Sequence, residues 1–163
     1  VHLGFWVAGD MLDQSEIPTS GSASMSGKAV FNVAYRYNQA NSDYGVKQYS
    51  GHATVNGSFN WGSGSYSGQL DFTNFDSGNS LVSNAGFTSF SVSLAGSGAT
   101  YAGSLNDTNN GWTREAVIAG ALYGNNTPVE SGGRISVGLS KSGSLGTSGA
   151  NDFYMAEGIY LID

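Results

Sequence analysis

Residues 116–137, AVIAGALYGNNTPVESGGRISV, constrain the fold more than any other stretch of the chain. Two alternating segments flank a polar turn of Asn, Pro, Glu and paired Gly. In the first, Val117, Ala119, Ala121 and Tyr123 share one face, with Ile118 and Leu122 on the other. In the second, Ile135, Val137 and Leu139 face Ser136, Gly138 and Ser140 across the strand. A period of two bounded by turn residues predicts strand–turn–strand, because successive strand side chains point to opposite faces.

The same pattern recurs along the chain. Residues 3–8 predict a first strand with Phe5 and Trp6 on opposite faces, followed by a polar loop over 9–21. Residues 22–26 alternate small polar side chains with Ala23 and Met25, and 28–37 predict a further strand. Residues 38–48 read as a long polar loop. Val55, Gly57, Phe59 and Trp61 are in phase over 50–61, and Tyr66, Gly68, Leu70 and Phe72 over 65–75, with Gly62-Ser63-Gly64 as the turn between them. Residues 76–86 read as a loop. Strands follow over 87–94 and 99–105, then a polar loop over 106–113 that carries Trp112. A Gly/Ser loop leads to a last strand, 153–162, with Tyr154, Ala156, Gly158, Tyr160 and Ile162 on one face.

Eight to ten strands and no helix result. An all-β, up-and-down antiparallel barrel of about eight strands, closed between 3–8 and 153–162, would leave no free sheet edge. A sandwich is the competing arrangement. Glycines inside strands, at 57, 68, 103, 120 and 158, suit the tighter curvature of a barrel. The length of 163 residues suits one domain, 1–163.

Composition excludes several functions. The 25 Gly follow no three-residue period, which rules out collagen, and three Trp, nine Tyr and eight Phe argue against disorder. A net charge of −6 with only six Lys and Arg leaves no basic track for a nucleic acid. No apolar run is long enough for a membrane helix, so the membrane enters only through an unseen anchor. Without Cys there is no disulfide, thiolate metal site or Cys nucleophile.

The segments EIPTSGSASMSG (16–27), NGSFNWGSGSYSGQLDFTNF (56–75), AGALYGNNTPVESGG (119–133) and AEGIYLI (156–162) together resemble the transferrin-binding-protein-B-like barrel family. Residues 16–27, EIPTSGSASMSG, are similar to its opening Pro-x-Ser-Gly-x-Ala-x-aromatic-x-Gly, with Met25 where the family has Tyr. Residues 56–75 resemble its apolar strand–turn–strand hairpin, 119–133 its Gly-x-aromatic-Gly to Glu-x-Gly-Gly hairpin, and 156–162 its closing Gly-aromatic strand. The resemblance covers nearly the whole chain. It implies an eight-stranded barrel on the surface of, or secreted by, a Gram-negative bacterium. It further implies binding of a host protein or a carrier of iron or haem. It also implies that the chain is the C-terminal barrel of a larger lipoprotein or secreted protein. The lipidation Cys and the handle domain of such proteins are not in this sequence.

Catalytic groups are sparse. His2 and His52 are the two histidines, and no G-x-S-x-G elbow accompanies them, so no enzyme activity is expected. His52 reads as a strand-edge residue, with haem-iron ligation, raised by the resemblance, as the alternative. Asp10, Asp13 and Glu16 share a loop but lack the spacing of a Ca²⁺ loop. No metal and no resident cofactor is expected. Glu115 reads as a rim partner of Arg114, and Glu130 as ordering its turn. Phe59, Trp61, Tyr66, Phe72, Phe90 and Tyr101 read as core. The loop aromatics Trp112, Tyr44 and Tyr37, with Arg114, are the candidate ligand-binding residues, because Trp, Tyr and Arg dominate binding hot spots.

Overall fold

The computed structural model describes residues 7–36, 46–141 and 152–163. The eight strands are β1 (Ser22–Arg36), β2 (Lys47–Trp61), β3 (Tyr66–Thr73), β4 (Ser89–Ser97), β5 (Thr100–Asn109), β6 (Trp112–Gly124), β7 (Pro128–Lys141) and β8 (Asp152–Ile162). Each pairs antiparallel with its neighbours in sequence, and β1 pairs with β8 to close the barrel. The end where β1 stops and β2 starts is called the upper end here; it also carries the β3–β4, β5–β6 and β7–β8 connections. The lower end carries the other three turns and the segment that leads into β1.

Alternation writes the two faces of the wall. Along β2, Gly51, Ala53, Val55, Gly57 and Phe59 are buried, while His52, Thr54, Asn56, Ser58 and Asn60 are exposed. Phe59, Tyr66, Phe72, Phe90 and Tyr101 lie in the core as expected, with Trp61 packed at its margin. Rings stack through the interior: Phe31 on Phe75 at 4.5 Å, Phe72 on Phe90 at 4.8 Å, and Phe87 on Phe90 at 4.0 Å. The barrel is a packed cylinder, in line with the size at which eight strands are just filled by side chains.

Four sequence expectations are corrected. The closing strand is Ser22–Arg36, one uninterrupted strand where two short segments were expected. Both sides of β8 are taken, by β1 and β7, so the stretch 3–8 does not form the seam; Val7 and Ala8 are not in a strand, and 3–6 lie outside the described residues. At the seam, a Cβ on Gly158 would land on the Val30 carbonyl oxygen and one on Gly27 on that of Leu161. Glycine there lets the two backbones meet. Second, Lys47 and Gln48 belong to β2, not to the preceding loop; residues 37–45 lie outside the described residues.

Third, the expected loop 76–86 contains a short helix, α1 (Ser80–Asn84), capped by Asn79, whose Oδ1 accepts from Leu81 N at 2.9 Å. Leu81 and Val82 are fully buried, so α1 plugs the upper end. Fourth, 106–113 is not a loop. Strands β5 and β6 run to a two-residue turn, Asn110-Gly111, with φ of 51° and 77°. Two successive positive φ values make a type I′ hairpin, which Asn-Gly favours.

The β4–β5 ladder is short. It runs from Ser97↔Thr100 to Leu94↔Gly103 and stops, although β4 continues to Ser89 and β5 to Asn109.

Candidate functional site

The upper end holds a knot around Asp76. Its carboxylate is buried and accepts a hydrogen bond from the Tyr49 hydroxyl; Asn79 Nδ2 donates to the Tyr49 oxygen at 2.8 Å. The Asp76 amide donates to the His52 carbonyl at 3.1 Å. Asp76 has φ of 40°, in the left-handed region that Asp and Asn tolerate better than other side chains. The hydroxyl of Tyr154, at the start of β8, is buried beside this knot and feels the Asp76 carboxylate, but makes no well-formed hydrogen bond among the described residues. Burial, then the Asp76 charge, pushes the Tyr154 hydroxyl far up from its ordinary value of 10; burial does the same for Tyr49, helped by its bond to Asp76. Both stay protonated at neutral pH, and Tyr49 donates to Asp76.

Arg114 forms a second fixture. Its guanidinium grips Asp107 through both oxygens, Nε to Oδ1 and Nη2 to Oδ2, each at 2.6 Å. Nη1 donates to the carbonyl of Gly86 at 3.0 Å, and the charge lies 5.6 Å from the Phe87 ring centre. This fork geometry ties β5 and β6 to the segment that follows α1. The Arg114 hydrogen bonds hold the Asp107 carboxyl below the usual carboxylate range. Two more cations cover rings at this end: Arg36 over Phe153 at 5.4 Å and Lys141 over Trp112 at 5.8 Å.

The lower end is closed differently. Tyr160 donates to the Tyr101 hydroxyl at 2.8 Å, Tyr101 pairs with Ser131 Oγ at 2.6 Å, and Ser131 donates to the Ala121 carbonyl at 3.0 Å. Gly120 provides the space for the rings of Tyr101 and Tyr160. Leu12 and Ile17, flanking a 3-10 turn (Gln14–Glu16), cover this network from below. Glu16 accepts from Asp13 N at 2.7 Å and Asn126 N at 2.9 Å, so Glu16 rather than Glu130 ties down the β6–β7 turn.

Of the expected site residues that are described, Trp112 and Arg114 sit two apart on the inward face of β6 and His52 lies apart on the outer wall. Trp112 is 3% exposed and part of the core, not a loop contact, because the Asn-Gly turn places it at an inward position of β6. Arg114 follows Trp112 on the same inward row, and its partner is Asp107; Glu115 instead accepts from Asn106 at 3.3 Å. His52 is exposed on the outer wall, opposite Val30. Tyr37 and Tyr44 lie outside the described residues. The Asp76 knot and α1 were missed by sequence reasoning. The Asn79-Ser80-Leu81-Val82 run, a capping residue before two apolar ones, was the available signal.

The outer wall over β1 to β4 is rich in Ser, Thr and Asn, with an open groove of about 350 Å³ bordered by Ser24, Ser26, Asn56, Ser58, Asp71 and Asp163. An apolar interior inside a polar wall is the reverse of a membrane-spanning barrel. Among the described residues, no helix is long and apolar enough to cross a membrane, and no three His, Asp or Glu side chains gather into a metal site. No protein-family model matches the chain, and no curated protein matches it.

Proposed function

We propose that the chain is a non-enzymatic binding module, surface-exposed or secreted by a bacterium, that recognises a protein partner at the upper end of the barrel. The observation that carries this reading is the filled interior: with rings stacked through the cylinder, a ligand is met outside it. The upper end is the better-equipped surface. The connections 37–45 and 142–151 both leave from it, and Arg36, Arg114 and Lys141 stand over aromatic rings around it. The lower end carries Asp10, Asp13, Glu16, Glu130 and Asp163. The resemblance to the transferrin-binding-protein-B-like barrels makes a host protein, or a carrier of iron or haem, the partner class.

The test is binding of transferrin, haemoglobin and complement proteins to the immobilised chain. It is repeated after 37–45 and 142–151 are each replaced by Gly/Ser linkers. A partner that binds the native chain and is lost on loop replacement supports the reading. Binding that survives both replacements, or no binding at all, refutes it. A structural or export barrel domain without a ligand of its own is one alternative, and a haem carrier is the other. The haem carrier predicts a Soret shift with haemin that His52→Ala or a loop tyrosine variant removes.

A further inference from the structure

We propose a second interaction surface that does not depend on the end loops: a slot between the upper halves of β4 and β5 that accepts an extended, basic peptide as an added strand. The two strands stay regular above Leu94↔Gly103. β4 remains paired to β3 as far as Thr73↔Ser89, and β5 to β6 as far as Asn109↔Trp112. Their ladder with each other has already ended. Each therefore turns a row of backbone N–H and C=O groups toward the other, and among the described residues no backbone bond outside the strand ladders reaches Ser89–Ser93 or Ser104–Asn109. Such a row is a template for another strand.

The slot's surroundings define the occupant. Its inward side is lined by buried Phe90 and half-buried Leu105. Inward residues of the guest are thus apolar. Above them Asp107 is taken by Arg114, and Asn109 and Arg114 bond the Ala85 and Gly86 carbonyls, which caps the slot and leaves room for a guest only beside Ser89–Ser93. Outward, the lips carry uncharged Ser91 and Asn106, with none of the Lys or Pro that guards many sheet edges. Both lips are tied back to carboxylates one strand further out. Ser91 Oγ donates to Asp71 at 2.5 Å, and Asn106 Nδ2 to Glu115 at 3.3 Å. Negative charge on both flanks selects Lys or Arg at the outward positions of the guest.

The probe is a capped peptide of three Val-Lys repeats, followed by amide hydrogen exchange on the whole chain. In the free protein, alternate amides of Ser89–Ser93 exchange fast while those bonded to β3 are protected. The peptide slows the fast set, an otherwise identical Val-Glu peptide binds at least about tenfold more weakly because of like-charge repulsion, and backbone N-methylation of the Val-Lys peptide abolishes the protection. Two results overturn the slot. One is full protection of these amides without peptide; the other is failure of the Val-Lys peptide to protect them at millimolar concentration. As a second check, the S91C/N106C variant keeps two free thiols under mild oxidation. Ready disulfide formation in an intact fold would mean that the strands already meet, since a bridge needs Cα atoms within about 7 Å. Loss of partner binding at the end loops leaves both readouts unaffected.

Discussion

The two ends of this barrel solve the same problem with the same residue type, and only one of them solves it completely. At the lower end, Tyr160, Tyr101 and Ser131 pass hydrogen bonds in one direction to the Ala121 carbonyl, so every buried hydroxyl has a partner. At the upper end, Tyr49 and Asn79 converge on a buried Asp76 while the hydroxyl of Tyr154 is left over. A satisfied chain of hydroxyls polarises itself and rigidifies its surroundings. A buried carboxylate with a stranded hydroxyl beside it does not. The lower end reads as a foundation. The upper end, where the connections 37–45 and 142–151 depart, has no such closed chain among the described residues.

The largest test of this contrast is alkaline pH. Tyr66, Tyr101 and Tyr160 below, and Tyr49 and Tyr154 above, all have hydroxyls raised by burial. A raised folded value means that the proton is held more tightly in the fold. The stability it contributes is intact below the unfolded tyrosine value, about 10, and falls as pH rises above it, by up to about 1.4 kcal/mol per pH unit for each buried group and by less for Tyr49, which is 36% exposed and screened by solvent. The chain is expected to unfold cooperatively above pH 10, with tyrosinate absorbance appearing in the same step. Gradual ionisation of these tyrosines in an intact fold would contradict it.

Removing the ring beneath α1 comes next. Phe75→Ala deletes a fully buried side chain that stacks on Phe31 and meets Phe87, Phe90 and Tyr154 edge-on. It is expected to cost about 3–5 kcal/mol in urea denaturation. Exchange should rise first at the upper end; equal loosening of both ends would erase the distinction drawn here.

A matched pair of hydroxyl deletions sharpens the comparison most cleanly. Tyr160→Phe breaks the lower chain and should cost about 0.5–1.5 kcal/mol. Tyr154→Phe removes a buried hydroxyl that makes no well-formed hydrogen bond and should cost less than Tyr160→Phe. Equal losses in denaturant midpoints would show that the Tyr154 hydroxyl is as well served as that of Tyr160. The smallest effect is acidic. Because Arg114 depresses the Asp107 value, their bond contributes fully above the unfolded value of about 4 and is lost as pH falls through the lower folded one. Asp107 is 37% exposed, so the contribution stays within about 1 kcal/mol. It should vanish in Arg114→Ala, as followed by melting temperature between pH 5 and 2.

Much of the barrel was legible in the sequence because the wall alternates so regularly: Val55–Gly57–Phe59 and Tyr154–Ala156–Gly158 point inward as their period predicts. The seam was misplaced because 3–8 looks as apolar as a closing strand, whereas the true one begins with Ser22, Ser24 and Ser26, whose polarity is that of a half-exposed wall. Trp112 was misread for a related reason. Its neighbours Asn109, Asn110 and Thr113 are polar, and composition suggested a loop where only Asn110-Gly111 turns. The Asp76 knot depends on contacts between residues 27 apart, Tyr49 and Asp76, and no local pattern reports such a meeting.

Because the cylinder is closed by its first and last strands, Gly27 meets Ile162 only when the final residues of the barrel are present. Every earlier pairing is between sequence neighbours and forms quickly, but the closing one spans almost the whole barrel and is slow to find. A chain emerging end-first from a ribosome therefore stays an open ribbon until its C-terminal strand is released. Trimming a few residues there would leave two raw edges exposed at once, making aggregation, not a smaller barrel, the outcome of truncation.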